Sequence, residues 1–124
     1  MELESGYERG ERVRMEMSGS GPGKIPFETH LNSLEESARA MLLDLRAFAR
    51  SLGANVIEEV RPHRVVYSKT MNFRIFLDVK PSGDHLVVEI KSGRSTPPVS
   101  LIVKTGEDLE VAKMRVADAY KEIQ

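Results

Sequence analysis

This chain of 124 residues contains no cysteine and no tryptophan. Without cysteine it forms no disulfide, no thiolate zinc site and no cysteine nucleophile. No apolar run approaches the roughly 18 residues that a membrane helix needs, and the charged N-terminus lacks the apolar core of a signal peptide. The sequence therefore predicts a cytoplasmic protein that does not enter a membrane, and nothing in it calls for a cofactor.

A strong excess of one charge is also lacking, because the formal net charge is only −1. The charge is unevenly distributed, since residues 54–105 carry eight basic and five acidic side chains. This surplus is small for a nucleic-acid binder, which usually clusters Lys and Arg beside aromatic side chains. The simpler interpretation of this basic region is a solvated face of a sheet.

The length fits one small domain that follows a charged lead. Residues 1–24 mix charges without periodicity and end in the sequence SGSGPGK, which predicts a flexible segment and linker. Residues 25–124 are predicted to form a single domain, because 40% of the chain is hydrophobic and can supply a core.

Two amphipathic helices are predicted near the ends of this domain. The first runs from about residue 34 to residue 52, with Ser33 as its N-cap. The second runs from about residue 107 to residue 123, with Thr105 as its N-cap and Asp108 at the reciprocal position of a capping box. Each helix has one apolar stripe, so both should pack on one face of a sheet.

Turn signals between the helices separate four strand-like segments and a fifth candidate, namely 55–60, 64–69, 73–80, 86–91 and 98–104. The connections are too short for parallel crossovers, so neighbouring strands should be antiparallel. Alternation divides the third strand into two faces, one with Phe73, Ile75, Leu77 and Val79 and the other with Arg74, Phe76, Asp78 and Lys80. The predicted fold is α+β, a two-layer sandwich in which an antiparallel four- to five-stranded meander carries both helices on one face.

Two segments resemble a known family. The sequence LLDLRAFARSLGANVIEEVRPHRVVYSKTMNF is similar to the domain of unknown function 5655, which has a leading helix, a Val-x-Glu-x-Val strand, a hairpin and an Asn-Phe pair, here Asn72 and Phe73. The ending TGEDLEVAKMRVADAY resembles the closing helix of that family. The resemblance implies a small α+β module without an established activity, found alone or beside nuclease-like domains. It thus implies an accessory role near nucleic acid.

Asp78, Glu89 and Lys91 together indicate a specific alternative, a nuclease of the PD-(D/E)xK type. Such an enzyme binds Mg²⁺ through acidic side chains, and the ion positions and activates a water. A lysine then assists the nucleophile or steadies the developing phosphate charge. Alternation places all three side chains on one face of the predicted hairpin, so Asp78 and Glu89 are candidate metal ligands and Lys91 a candidate helper.

The predicted hairpin register also fits a simpler arrangement. A loop of residues 81–84 places Asp78 opposite Val87 and makes Asp78 and Glu89 diagonal neighbours. That is equally the pattern of a solvent-facing charge ladder. The nuclease core needs a helix after its Glu-x-Lys strand, and Leu77 stands where its motif has proline. The charge ladder is the preferred interpretation, with no metal expected.

The strand region also contains a candidate surface for single-stranded nucleic acid. Its residues are Tyr67, Lys69, Arg74, Lys91 and Arg94, with Arg61, Arg64, Lys104 and Phe76 possible neighbours. A base stacked on an aromatic ring contributes about 1–3 kcal/mol. A protein partner that docks through an open edge strand fits the sequence equally well. We therefore expect a non-enzymatic binding or accessory module, a monomer or weak homodimer, whose partner is a protein or single-stranded nucleic acid.

Overall fold

The computed structural model describes residues 25–69, 74–93 and 96–123. Its helices are α1 (Glu28–Asn32), α2 (Glu36–Ser51) and α3 (Gly106–Glu122). Its strands are β1 (Val56–Val60), β2 (Val65–Lys69), β3 (Arg74–Ser82), β4 (His85–Ile90) and β5 (Val99–Val103). The strands form one antiparallel meander in the order β1-β2-β3-β4-β5, so the predicted α+β fold is confirmed. The predicted flexible lead, residues 1–24, lies outside the described residues.

The face of the sheet toward α2 and α3, called here the inner face, supplies the core. Directly opposite residues share a face of an antiparallel sheet, and one inner row crosses all five strands as Val60, Val65, Val79, Val88 and Leu101. These side chains pack with the apolar stripes of both helices in a single cluster. The predicted buried set of β4, Leu86, Val88 and Ile90, is confirmed. None of the described helices has the length and hydropathy that a bilayer crossing requires.

The two long helices begin differently. The predicted capping box of α3 is confirmed, because Asp108 N donates to Thr105 Oγ1 and Thr105 N donates to Asp108 Oδ2, both at 3.1 Å. The predicted cap of α2 is wrong, since α2 begins at Glu36 after Glu35 and has no side-chain cap. Ser33 instead ends the short helix α1, which the sequence analysis missed, and its hydroxyl donates to the carbonyl of His30 at 3.2 Å.

The hairpin between β3 and β4 is tighter than predicted. Its loop contains only Gly83 and Asp84, because Ser82 already pairs with His85. Gly83 has a φ of 61°, a value that glycine adopts without strain at the first position of a two-residue hairpin loop. The predicted pairing of Asp78 with Val87 is therefore wrong.

A β-bulge changes the faces of β3 near its start. Tyr67 of β2 pairs with Leu77, but the next residue, Ser68, pairs with Ile75. Phe76 is thus an extra residue on β3, and such an insertion interrupts the strict alternation of side chains. The predicted division of β3 into two faces is correct beyond the bulge and wrong before it.

The bulge exchanges the predicted faces of three residues. Phe76 is fully buried and meets Tyr120 of α3 edge to face, with ring centroids 5.2 Å apart. Ile75 moves to the outer face, the face turned away from α2 and α3. Arg74 pairs with Lys69 and lies on the inner side. The physical reason is one inserted residue, which the apolar contact of Phe76 with α3 stabilises.

Candidate binding site on the outer sheet face

A mostly polar row of side chains, with one valine, crosses the outer face. Its members are Glu59, Val66, Asp78, Glu89 and Ser100, one from each strand. The adjacent row contains Lys80, Val87 and Ile102. Between the rows lies a depression of about 230 Å³, lined by Arg64, Asp78, Lys80, Val87, Glu89 and Ser100. This lining, called here the outer-face depression, is the candidate site.

Asp78 occupies the floor of the outer-face depression. It is only 7% exposed, and Arg64 Nη1 donates to its Oδ2 at 2.9 Å. The backbone of Arg64 is held in turn, because its carbonyl accepts a hydrogen bond from Arg61 N at 2.8 Å. A carboxylate with so little contact with water needs such a partner. The contact with Arg64 therefore holds the Asp78 side chain in place within the sheet surface.

The other charged groups of the depression are held less tightly. Lys80 is exposed. Among the residues that the structure describes, no carboxylate forms an ion pair with it. Of the described residues, Lys91 is the one that forms an ion pair with Glu89, and their closest charged atoms are 3.9 Å apart. Exposed ion pairs of this kind contribute little stability. Glu89 can therefore give up its contact with Lys91, and Lys80 its contact with water, to bind a ligand at a small cost in free energy.

The two candidate metal ligands are closer than the sequence analysis predicted. Asp78 and Glu89 lie directly opposite each other rather than diagonally. However, Arg64 already occupies one oxygen of Asp78, so a metal ion would have to displace or tolerate a guanidinium. The described part of the chain contains no group of three or more His, Asp or Glu side chains that could hold an ion.

Tyr67, the predicted stacking residue, lies on the inner face and is completely buried. Its hydroxyl donates to Glu58 Oε2 at 2.7 Å. Arg46 of α2 donates to both oxygens of Glu58, at 2.8 and 3.0 Å. With no exposed ring face, Tyr67 offers no surface on which a base could stack. This cluster of Tyr67, Glu58 and Arg46 was not predicted from the sequence, because its three members are distant in the chain.

Burial and hydrogen bonding shift two pKa values in this cluster. Burial raises the pKa of the Tyr67 hydroxyl, and the hydrogen bond to Glu58 raises it further. Burial also acts to raise the pKa of Glu58, but the hydrogen bonds from Arg46 and Tyr67 outweigh it, so the pKa of Glu58 is lowered overall. Both shifts keep a neutral tyrosine beside a charged carboxylate.

The other predicted nucleic-acid residues are divided between the two faces. Lys69 points inward, where its Nζ donates to the carbonyl of Ile123 at 2.6 Å and lies 4.2 Å from the centre of the Tyr120 ring. Arg74 is opposite Lys69 on the same side, whereas Lys91 lies beside Glu89 on the outer face.

Arg94 lies outside the described residues. The remaining four candidates do not form one surface, because Tyr67, Lys69 and Arg74 lie at the inner face and Lys91 at the outer face. The outer-face depression instead brings in Lys80, Val87 and Ser100, which the sequence analysis did not select. Alternation along their strands was the signal that could have found them.

Comparisons with known protein families, curated proteins and solved structures gave no match to this chain. The resemblance to the domain of unknown function 5655 therefore stays a prediction.

Proposed function

We propose that this chain is a non-enzymatic binding module that contacts another protein through its outer sheet face. The observation that carries the proposal is the outer-face depression, where the loosely held charges of Lys80 and Glu89 adjoin the apolar side chains of Val87 and Ile102. Protein interfaces combine an apolar centre with polar groups that fix orientation. Ile102 is 59% exposed, so its burial against a partner would remove apolar surface from water.

The composition of the face favours a protein over nucleic acid as the partner. Among the described residues, the aromatic side chains of the strands, Tyr67 and Phe76, are both in the core and unavailable for stacking. The depression also contains two carboxylates, Asp78 and Glu89, beside its two cations. Carboxylates repel phosphate, whereas a protein segment can present groups of either sign.

The arrangement also indicates the chemistry of the partner. Lys80 suits an acidic side chain, because no described carboxylate neutralises it. Val87 and Ile102 are directly opposite each other and suit an aliphatic or aromatic side chain that lies across β4 and β5. A partner segment with an acidic residue next to an apolar one therefore matches the site.

Site-specific photo-crosslinking tests this proposal in the cells that produce the protein. A photoreactive amino acid replaces Val87 in the depression, and the matched control carries it at Met114, a residue of α3 that is 68% exposed. The proposal predicts covalent adducts with a second, different polypeptide from position 87 and not from position 114. Lys80→Glu in the same chain should reduce the yield about tenfold, since it replaces attraction with repulsion.

Three results would contradict the proposal. Position 87 could give no heterologous adduct, or position 114 could give the same adduct with equal yield. Alternatively, the adducts from position 87 could disappear on treatment with nuclease. The last result would identify nucleic acid as the ligand, attracted by the positive charges of Lys80 and Lys91.

A metal-dependent nuclease is a second candidate, and the direct opposition of Asp78 and Glu89 is the observation that favours it. A titration with Mn²⁺, followed by NMR, separates it from the binding module. Paramagnetic broadening confined to Asp78, Glu89 and Lys91, and lost in Asp78→Asn, would support the nuclease. Signals unaffected at millimolar Mn²⁺ would exclude it.

A further inference from the structure

The two edges of the sheet differ in how they are protected. Natural proteins discourage pairing at edge strands with charged residues, prolines, bulges or covering segments. The edge strand β1 carries two acidic residues, Glu58 and Glu59, which form ion pairs with Arg46 and Arg61. The edge strand β5, with the sequence VSLIV, contains no charged residue and no proline. Among the described residues, no backbone hydrogen bond joins its free edge to another segment.

The geometry points to a symmetric homodimer, which we propose forms by antiparallel pairing of β5 with β5 of a second copy. This proposal goes beyond the proposed function and does not depend on it. A twofold axis midway between Leu101 and its counterpart pairs Val99 with Val103 of the second copy and Ser100 with Ile102. Each pair is compatible with the alternation of β5, because residues of the same face meet.

The charge pattern of the strand suits pairing with itself. Lys104 directly follows β5, and in this register it lies opposite Pro98 of the second copy rather than opposite its own counterpart. Like charges directly opposite each other destabilise an antiparallel pair, and this register keeps the two Lys104 side chains from that position. The two Ile102 side chains become diagonal neighbours, so the apolar parts of the two outer faces adjoin across the pairing.

Helix α3 lies on the β5 side of the inner face. It contacts β5, whereas α2 contacts β1. Lys113 of α3 faces α2, since its Nζ lies 3.0 Å from Asp44 Oδ1. Val111 is two residues away and thus about 200° around the helix axis. It is 47% exposed and lies on the side of α3 opposite Lys113.

The dimer has a direct structural consequence. A twofold axis that pairs two strands antiparallel runs perpendicular to the sheet, so the outer faces of both copies point the same way. The product is a continuous sheet of ten strands with two outer-face depressions on one side. A five-residue edge strand forms a small interface, so we expect a dissociation constant on the order of 10 μM.

Sedimentation equilibrium of the full chain tests the proposal, with Ile102→Lys as the disrupting variant. Its matched control is Ile57→Lys, which places the same charge on the outer face of the other edge strand. The wild-type chain should pass from the mass of one chain to that of two as its concentration rises. Ile102→Lys should raise the dissociation constant by about tenfold or more. Ile57→Lys should leave it within about twofold.

A second variant tests the register without relying on weakened association. The chain has no cysteine, so Ser100→Cys combined with Ile102→Cys supplies the only two thiols. The predicted register brings each thiol opposite the other position of the second copy, and mild oxidation should yield a covalent dimer. Ile57→Cys combined with Glu59→Cys is the control and should stay monomeric. A wild-type chain that remains a monomer at about 500 μM would overturn the proposal. Equal weakening by the two lysine variants, or equal cross-linking of the two cysteine pairs, would overturn it as well.

Discussion

The two faces of the sheet use polar side chains in opposite ways. On the inner face, each of three polar side chains has a specific hydrogen-bond partner. Glu58 accepts from Arg46 of α2, and Tyr67 donates to Glu58 of the neighbouring strand. Lys69 donates to the carbonyl of Ile123 at the C-terminal end of α3. On the outer face, Asp78 has Arg64, but Lys80 and Glu89 are held loosely or not at all by described groups. The difference teaches that the charge of a strand residue does not tell whether it is available to a ligand. Its availability depends on whether the fold brings an ionic or hydrogen-bonding partner to it.

The largest expected effect concerns the bulge, which reverses the predicted faces of Phe76 and Ile75. Phe76→Ala should lower the free energy of unfolding by about 3–5 kcal/mol, because it leaves a cavity beneath Tyr120. Ile75→Ala, on the outer face, should cost only about 1 kcal/mol. Urea denaturation measures both values. Equal losses would mean that the two side chains are equally buried and that the bulge is misassigned.

A pair of glutamates gives the next largest contrast. Glu58→Ala leaves Arg46 and the Tyr67 hydroxyl without their acceptor, so we expect a loss of about 2 kcal/mol. Glu89→Ala, on the outer face, should change stability by no more than about 0.5 kcal/mol. Thermal unfolding followed by circular dichroism compares the two variants. A greater loss for Glu89→Ala would reverse the comparison between the faces.

The two lysines Lys69 and Lys80 form a smaller contrast. Lys69→Met removes the hydrogen bond to the carbonyl of Ile123 at the C-terminal end of α3 and should cost about 1 kcal/mol. Lys80→Met should leave stability nearly unchanged. Hydrogen exchange of the last turn of α3 gives a local readout, since faster exchange is expected for Lys69→Met alone. Unchanged exchange in both variants would show that Lys69 does not hold the helix end.

The smallest effect is a pH dependence of the inner face. The pKa of Glu58 is lowered from its ordinary value of 4.5, so its contribution to stability is present above pH 4.5 and is lost as the pH falls toward the lower folded-state value. Glu58→Gln should therefore be less stable than the wild type at neutral pH. The difference should shrink as the pH falls below 4.5. Urea denaturation across this range measures it, and a gap that widens in acid would have the wrong sign.

Local sequence patterns predicted those parts of the fold that local physics determines. Thr105 and Asp108 are three residues apart and form the predicted capping box, and the alternation of β4 identified its buried residues. The bulge at Phe76 could not be predicted in this way, because its side chain is stabilised by Tyr120, which is distant in sequence. The register error at Asp78 came from assigning four residues to a loop that needs two.

The candidate site was predictable only in part for the same reason. Alternation correctly placed Asp78 and Glu89 together on one face. It could not reveal that Arg64 pairs with Asp78 or that Lys69 reaches the end of α3, because both contacts depend on how separate elements pack. Composition suggested a basic surface, whereas the folded chain divides those basic residues between two faces.

Alkylation of a single introduced cysteine tests most directly whether the outer face is the binding surface. Ser100→Cys places the thiol in the depression, and Ser51→Cys places it at the end of α2, on the helix side. Each variant is labelled at the same concentration in buffer and in extract of the cells that produce the protein. A protein partner on the outer face should slow labelling in the extract at position 100 and leave position 51 unchanged. Equal rates in buffer and extract at position 100, or equal slowing at both positions, would contradict the account.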